Sequence, residues 1–215
     1  MRSRPRPVTS ARVLGALALM CFVIRPACAF AQPEFERWQM GVEADGSMAH
    51  FGARLNQTGW VQAWNLSAHF VLLPFGAVHF ARLGGVLDGA PQFGVGPVFE
   101  RFNTRQNFGG LDFEVRYYLT HFERGPLVPW IEASIAPGGT DLRLKGAGRG
   151  TRLEGPFAAL IQGGVGLSYF FRKRAAAYLG LHTEHVSNGG FNGPDRNYSI
   201  NTALGMVVGV SWFFR

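Results

Sequence analysis

Along much of this chain, apolar and polar positions alternate one for one. In residues 110–121 (GLDFEVRYYLTH), Leu111, Phe113, Val115, Tyr117 and Leu119 fall on one side; Asp112, Glu114, Arg116, Tyr118 and Thr120 fall on the other. A period of two is that of a β-strand with one apolar face. Residues 157–171 repeat it: Phe157, Ala159, Ile161, Val165, Leu167, Tyr169 and Phe171 alternate with Ala158, Gln162, Gly164, Gly166 and Ser168, leaving Leu160 and Phe170 out of pattern. In residues 201–214, Thr202, Leu204, Met206, Val208, Val210, Trp212 and Phe214 alternate with Asn201, Ala203, Gly205, Gly209 and Ser211. The pattern predicts strands over 37–45, 50–56, 65–73, 76–84, 92–102, 110–120, 127–136, 157–171, 175–187 and 200–214. The clearest loop is 137–156, with six glycines, three arginines and a lysine.

The clearest of these strands are longer than the ~5–6 residues usual in globular sheets. Their apolar faces are large, and their opposite faces are small or polar. A soluble barrel would turn the large residues inward and charge outward. A small membrane barrel does the reverse, with apolar residues towards lipid and a small, polar set filling the interior. The expected fold is therefore all-β: an eight-stranded antiparallel transmembrane β-barrel of the outer membrane. Ten predicted strands exceed eight, so some of the early ones must merge or be loops. Asp112, Glu114 and Arg116 are placed to pair inside. Trp38, Trp60, Trp64, Trp130, Tyr169, Trp212 and Phe214 suit the interfacial aromatic girdles. The alternative is a soluble exported sandwich.

Composition supports sheet: 29 of 215 residues are Gly, 13% are aromatic and only 16% are charged. The net charge of +7 suggests a nucleic-acid or membrane partner until its location is considered. Arg2, Arg4, Arg6 and Arg12 lead into the apolar run Val13–Ile24, followed by Arg25 and the small-residue pattern Ala27-Cys28-Ala29-Phe30-Ala31. A basic lead, a short apolar core and an A-x-A site describe a secretory signal peptide. The run is too short to span a bilayer as a helix. The domain expectation is a signal peptide over 1–31 and a single barrel over 32–215. Five arginines and no acids leave with the signal, so the remaining charge is (21 − 5) − 14 = +2. Basicity then no longer argues for nucleic acid, and no nucleic-acid partner is expected. Both cysteines leave as well, so the barrel must hold without a disulfide.

The strand 175–187 (AAAYLGLHTEHVS) is the one that carries chemistry. Ala177, Leu179, Leu181, Thr183, His185 and Ser187 share a face whose apolar start marks it as lipid-facing. His185 and Ser187 are two residues apart on it, close enough for an imidazole to take a hydroxyl proton. A polar pair facing lipid is costly unless it lies near the interface or does work. The plainer readings are an interfacial histidine and a turn serine. His182 and Glu184 face the interior as a structural polar pair. The six histidines show no zinc-like spacing, so neither metal nor cofactor is expected. No Walker loop, G-x-S-x-G or dinucleotide fingerprint is present.

His185-Val186-Ser187-Asn188-Gly189-Gly190 resembles the His-x-Ser-Asn-Gly/Ala signature of the lipid A 3-O-deacylase family (PagL type, also called acyloxyacyl hydrolases). The flanks are similar too: Gly163 to Phe170 resembles the family's Gly-rich strand, Arg172-Lys173-Arg174 its turn, and Val128 to Ala133 its Pro-aromatic-aliphatic-Glu strand. The resemblance covers about 110–214. It implies an eight-stranded outer-membrane barrel with its site on the outer wall near the outer leaflet. It further implies Ser187 as nucleophile on an ester of lipid A (lipopolysaccharide), and His185 as general base. Asn188 and Gly189 would hold the oxyanion. The product would be a free 3-hydroxy fatty acid. The family's archetype has a Glu twelve residues after the Ser to orient the His; here that position is Ser199. Asn197 is the first candidate for the orienting group and Asp195 the second. That departure keeps open a non-catalytic structural or adhesion barrel, and more weakly a periplasmic lipid-binding barrel. Oligomeric state is left open, a homodimer included.

Overall fold

A computed structural model describes residues 31–54, 60–80, 84–103, 105–141, 157–188 and 199–214. The expected signal peptide over 1–31 lies outside them except for Ala31. Eight strands follow one another: β1 Gln39–Arg54, β2 Trp60–Leu73, β3 Ala90–Phe102, β4 Asn107–Tyr118, β5 Leu127–Thr140, β6 Phe157–Arg172, β7 Ala175–Ser187 and β8 Ser199–Phe214. Each pairs antiparallel with its neighbours, and β1 pairs with β8 to close the barrel. Closure leaves no free sheet edge, as a hydrocarbon environment requires of strands. Among the described residues no helix is long and apolar enough to cross a membrane; here the strands are the spanning elements.

The faces follow the alternation. Leu111, Phe113, Val115, Ile161, Val165, Leu167, Leu204, Met206 and Val208 are exposed on the outside. Asp112, Glu114, Arg116 and Ser168 are buried inside. Arg116 donates to Glu43 at 2.7 Å and to Glu132 at 2.8 Å, with Glu114 3.4 Å away. Its expected partnership with Asp112 is not formed; Asp112 instead lies 3.1 Å from His69 Nε2 on β2.

The lumen is layered rather than uniformly polar. Ala49, Val61, Ala63, Val98, Phe102, Phe108, Ala136, Ala158, Leu160 and Val186 form an apolar plug at one end. Val71, Leu73, Tyr118, Val128, Trp130, Phe170 and Phe213, joined by Phe35, form another at the end where β1 begins and β8 ends. The charged residues lie between the two. Leu160 and Phe170 break the alternating pattern because they belong to these plugs.

Four sequence expectations are corrected. Segments 37–45 and 50–56 merge into β1, since Gly46 and Ser47 continue the ladder opposite Leu66 and Asn65. Segment 76–84 is not a strand: among its described residues only Val78 makes a bridge, to Gly89. Gly76 and Gly84 there have φ of +62° and +64°, which strands do not adopt. A second tie in this connection is the Asp88 carboxylate, which accepts the Phe80 N–H at 2.6 Å and lies 3.1 Å from His79 Nδ1. The two contacts hold Asp88 below the ordinary carboxylate range. The loop expected from 137 begins only after Thr140, because Gly138 lies in the β5 ladder opposite Gly110 and Ala158. A Cβ at Gly138 would collide with the Gly109 carbonyl oxygen, so glycine here serves a close approach of strands rather than a turn.

Finally, Trp130 is no girdle residue. It is 1% exposed, inside the lumen, 5.9 Å from the Tyr178 ring and edge-on to it. Gly166 on β6 and Gly180 on β7 make room: a Cβ at either would come within 2.6 or 2.8 Å of indole carbons. Trp38, Trp64, Trp212 and Phe214 are exposed as expected, while the Trp60 side chain lies outside the described residues.

Candidate active site

β7 enters from the two-residue turn Lys173–Arg174 and runs to the rim opposite the one where β1 begins and β8 ends. Leu179 and Leu181 face out; Tyr178, His182, Glu184 and Val186 face in. His185 and Ser187 follow Leu179 and Leu181 onto the outer wall, each half-buried. The fully buried Val186 between them packs into the apolar plug and fixes the strand end from inside. On β6, Ile161 is opposite His185 and Ala159 is opposite Ser187. A polar pair therefore sits beside an aliphatic surface, where an acyl chain would be at home.

Glu184 cannot serve His185, although it precedes it in sequence. The alternation turns Glu184 into the lumen, 3.2 Å from His182 Nε2, where it accepts hydrogen bonds from Ser47 (3.2 Å) and Gln162 (3.1 Å). The structural role expected for His182 and Glu184 is what these contacts describe. Asn188 is buried, at 1% exposure. Gly189, Asp195 and Asn197 lie outside the described residues.

β8 supplies the other side of the site. Ser199 is in register with Ser187 and Asn201 with His185. The β7–β8 ladder shifts register between His182 and His185: His182 pairs with Gly205, so two residues of β7 face three of β8. Simple alternation along 201–214 puts Asn201 on the lumen side. The shift changes which β8 position stands opposite His185, and that position is Asn201. Register shifts of this kind are over-represented beside active sites. No residue pattern in β8 announces the slip, so sequence reasoning passed over Asn201.

The model of a family described as Lipid A 3-O-deacylase (PagL) matches residues 36–210, a span that takes in His185, Ser187 and all but the last rungs of the barrel. The chain belongs to the lipid A 3-O-deacylase (PagL) family. It is accordingly an outer-membrane ester hydrolase whose family deacylates lipid A. No curated protein matches the chain. Among solved structures, the outer membrane enzyme PagL is similar at 15% identity and a TM-score of 0.48, covering 79% of this chain and 97% of that one. Neisserial surface protein A is similar at 13% identity and a TM-score of 0.51, covering 81% and 97%. The N-terminal barrel domain of Pseudomonas aeruginosa OprF is similar at 15% identity and a TM-score of 0.41, covering 83% and 98%. The likeness to Neisserial surface protein A speaks for the fold alone. Membership of the PagL family rests on the match over 36–210.

Proposed function

We propose that the chain cleaves the 3-O-linked acyl ester of lipid A using Ser187 as nucleophile and His185 as general base. The observation that carries this reading is their shared place on the outer wall, two residues apart, at the rim of β7. Ser187 Oγ attacks the ester carbonyl as His185 takes its proton. Collapse of the tetrahedral intermediate breaks the ester C–O bond, and His185 returns the proton to the departing sugar oxygen, which leaves as a hydroxyl. Water then hydrolyses the acyl-serine and frees the fatty acid, a 3-hydroxy acid in lipid A. With Asn188 buried, the oxyanion donors favoured are the backbone N–H groups at Asn188 and Gly189. Residues 1–31 act as a signal peptide in this reading and are removed on export.

The orienting group for His185 comes from the β7–β8 side. Asn197 and, second, Asp195 are the loop candidates; Asn201 joins them by register. A neutral amide can fix an imidazole tautomer but does not stabilise imidazolium as a carboxylate does. Turnover slower than in a Glu-bearing relative follows.

Mass spectrometry of lipid A from cells expressing the protein tests the reading. The wild-type protein is expected to remove one 3-hydroxyacyl chain, and Ser187→Ala to remove none while still migrating as a folded barrel. His185→Ala should lower the rate about 10²–10⁴-fold. Unchanged lipid A in the presence of folded wild-type protein would favour the second reading, a non-catalytic barrel, which the Ser199 substitution of the family's carboxylate supports. Alanine at Asn197, Asp195 and Asn201 in turn identifies the orienting group. If none of the three slows hydrolysis, that assignment fails.

A further inference from the structure

Between the two apolar plugs, the lumen holds more negative charge than its cations balance. Glu43, Glu114 and Glu132 gather around the guanidinium of Arg116, and Asp45 and Asp112 lie beside His69. Counting His69 as neutral, that is −5 + 1 = −4 among these described groups; counting it as charged, the excess is still −3. The strain shows in the hydrogen bonds. The Tyr178 hydroxyl has one proton to give and two carboxylates at 2.9 Å, Glu43 and Asp45. Glu114 Oε1 has no hydrogen bond, only the ion pair to Arg116 at 3.4 Å. Buried carboxylates are expensive to ionise without compensation.

His69 points to what compensates them. Its side chain is 1% exposed. Its Nε2 faces Asp112 Oδ2 at 3.1 Å, while its Nδ1 has no hydrogen-bond partner and is aimed towards Glu114 Oε2, 3.9 Å away. An imidazole held by a carboxylate through one nitrogen, with the other left open, is the arrangement of a metal-ligating histidine and its supporting acid. One ligand atom each from Glu43, Asp45, His69 and Glu114 lie within 4.8 Å of one another. Asp45, His69 and Glu114 border a cavity of about 20 Å³, lined also by Arg116, Ser47, Ser67 and Gln162, enough for one water-sized occupant.

We propose that His69, Glu114 and Asp45 bind a divalent transition-metal ion in the barrel lumen, with Asp112 orienting His69 and Glu43 at hand as a fourth donor. Glu43 is the least free of the set, since it already accepts from Arg116, Tyr178 and Ser211. One imidazole nitrogen and two or three carboxylate oxygens suit Zn²⁺ or Co²⁺. The ligands come from β1, β2 and β4, so the ion would clasp three strands and halve the charge excess. It would lie in the lumen, whereas His185 and Ser187 are on the outer face of β7, so the site is independent of the hydrolytic reading.

The test uses the folded, full-length mature barrel stripped with a chelator and then titrated with Zn²⁺ or Co²⁺ alone. Elemental analysis after desalting is expected to find one ion per chain, and Co²⁺ to give visible absorption bands of a low-coordinate nitrogen–oxygen site. Asp112→Asn should weaken binding about 10–100-fold without displacing the ion; His69→Gln should abolish it. Folding of each variant is checked by the heat-dependent shift of a barrel in gel electrophoresis. A folded wild-type protein that retains neither ion would overturn the proposal. So would wild-type affinity in a folded His69→Gln variant, or retention of Ca²⁺ with exclusion of Zn²⁺ and Co²⁺. Lipid A deacylation measured on the same samples separates the two readings, because its loss or retention leaves the metal count unaffected.

Discussion

Among the described residues, Arg116 has the most carboxylate partners. It donates to Glu43 and Glu132, stands 3.4 Å from Glu114, and its guanidinium carbon lies 4.2 Å from the centre of the Tyr178 ring and 4.8 Å from that of Trp130. A planar, permanently charged fork suits this many partners; an ammonium would reach fewer of them. Removing it leaves at least two buried carboxylates without their cation. Breaking a buried pair from one side typically costs ~3–5 kcal/mol. Arg116→Leu is therefore expected to lose about that much in urea unfolding of the refolded barrel, followed by tryptophan fluorescence. A loss under ~1 kcal/mol would mean that these carboxylates are already protonated, since only charge makes the missing partner expensive.

At the scale of strands, the interior is built by pairing a large residue on one strand with glycine on the next. Trp130 on β5 occupies the space that Gly166 and Gly180 leave on β6 and β7. Gly180→Val should destabilise the barrel by at least ~1–3 kcal/mol through overpacking. Trp130→Phe in the same chain should recover part of the loss. Recovery is partial because a Cβ at Gly180 also comes within 2.8 Å of the Val165 carbonyl oxygen. Unfolding the two single variants and the double variant gives the coupling directly; no coupling would show that the indole is not what excludes a side chain there. The same pairing explains what was legible in the sequence. β4, β6, β7 and β8 announce themselves because apolar residues recur at every second position over much of their outer faces. The outward direction of His185 and Ser187 follows from that run in β7. Trp130 was misplaced because a girdle and a packed lumen both use tryptophan, and only the cross-strand glycines tell them apart. Asn201 and the cluster around His69 were hidden for a related reason. One depends on a register slip, the other on residues 26 and 45 positions apart (Glu43–His69 and His69–Glu114) brought together by pairing.

For the whole molecule, the decisive question is which rim faces outward. An even number of strands brings both ends of the barrel to one rim, shared with the Lys173–Arg174 turn and the 74–89 and 119–126 connections. Glu34 and Glu36 bind Lys173 and Arg174 there, at 2.6 and 2.9 Å, so the segment before β1 closes over that rim. His185 and Ser187 lie at the other, with the 103–106 turn and the 141–156 and 188–198 connections. Outer-membrane barrels keep their short turns on the periplasmic side. On that rule the two-residue turn at Lys173 puts its rim on the periplasmic side, which would set His185 and Ser187 level with the outer leaflet, where lipid A resides. The chain offers a direct check, because Cys21 and Cys28 are its only cysteines and both lie in the expected signal peptide. A single cysteine placed at Asn103 or at Lys173, both exposed, reports its own side of the membrane. Asn103→Cys should react with a membrane-impermeant maleimide on intact cells. Lys173→Cys should react only after the outer membrane is permeabilised. The opposite pattern would leave His185 and Ser187 on the periplasmic side, away from their substrate, and the hydrolytic reading would fall with the orientation even if the barrel were correctly folded.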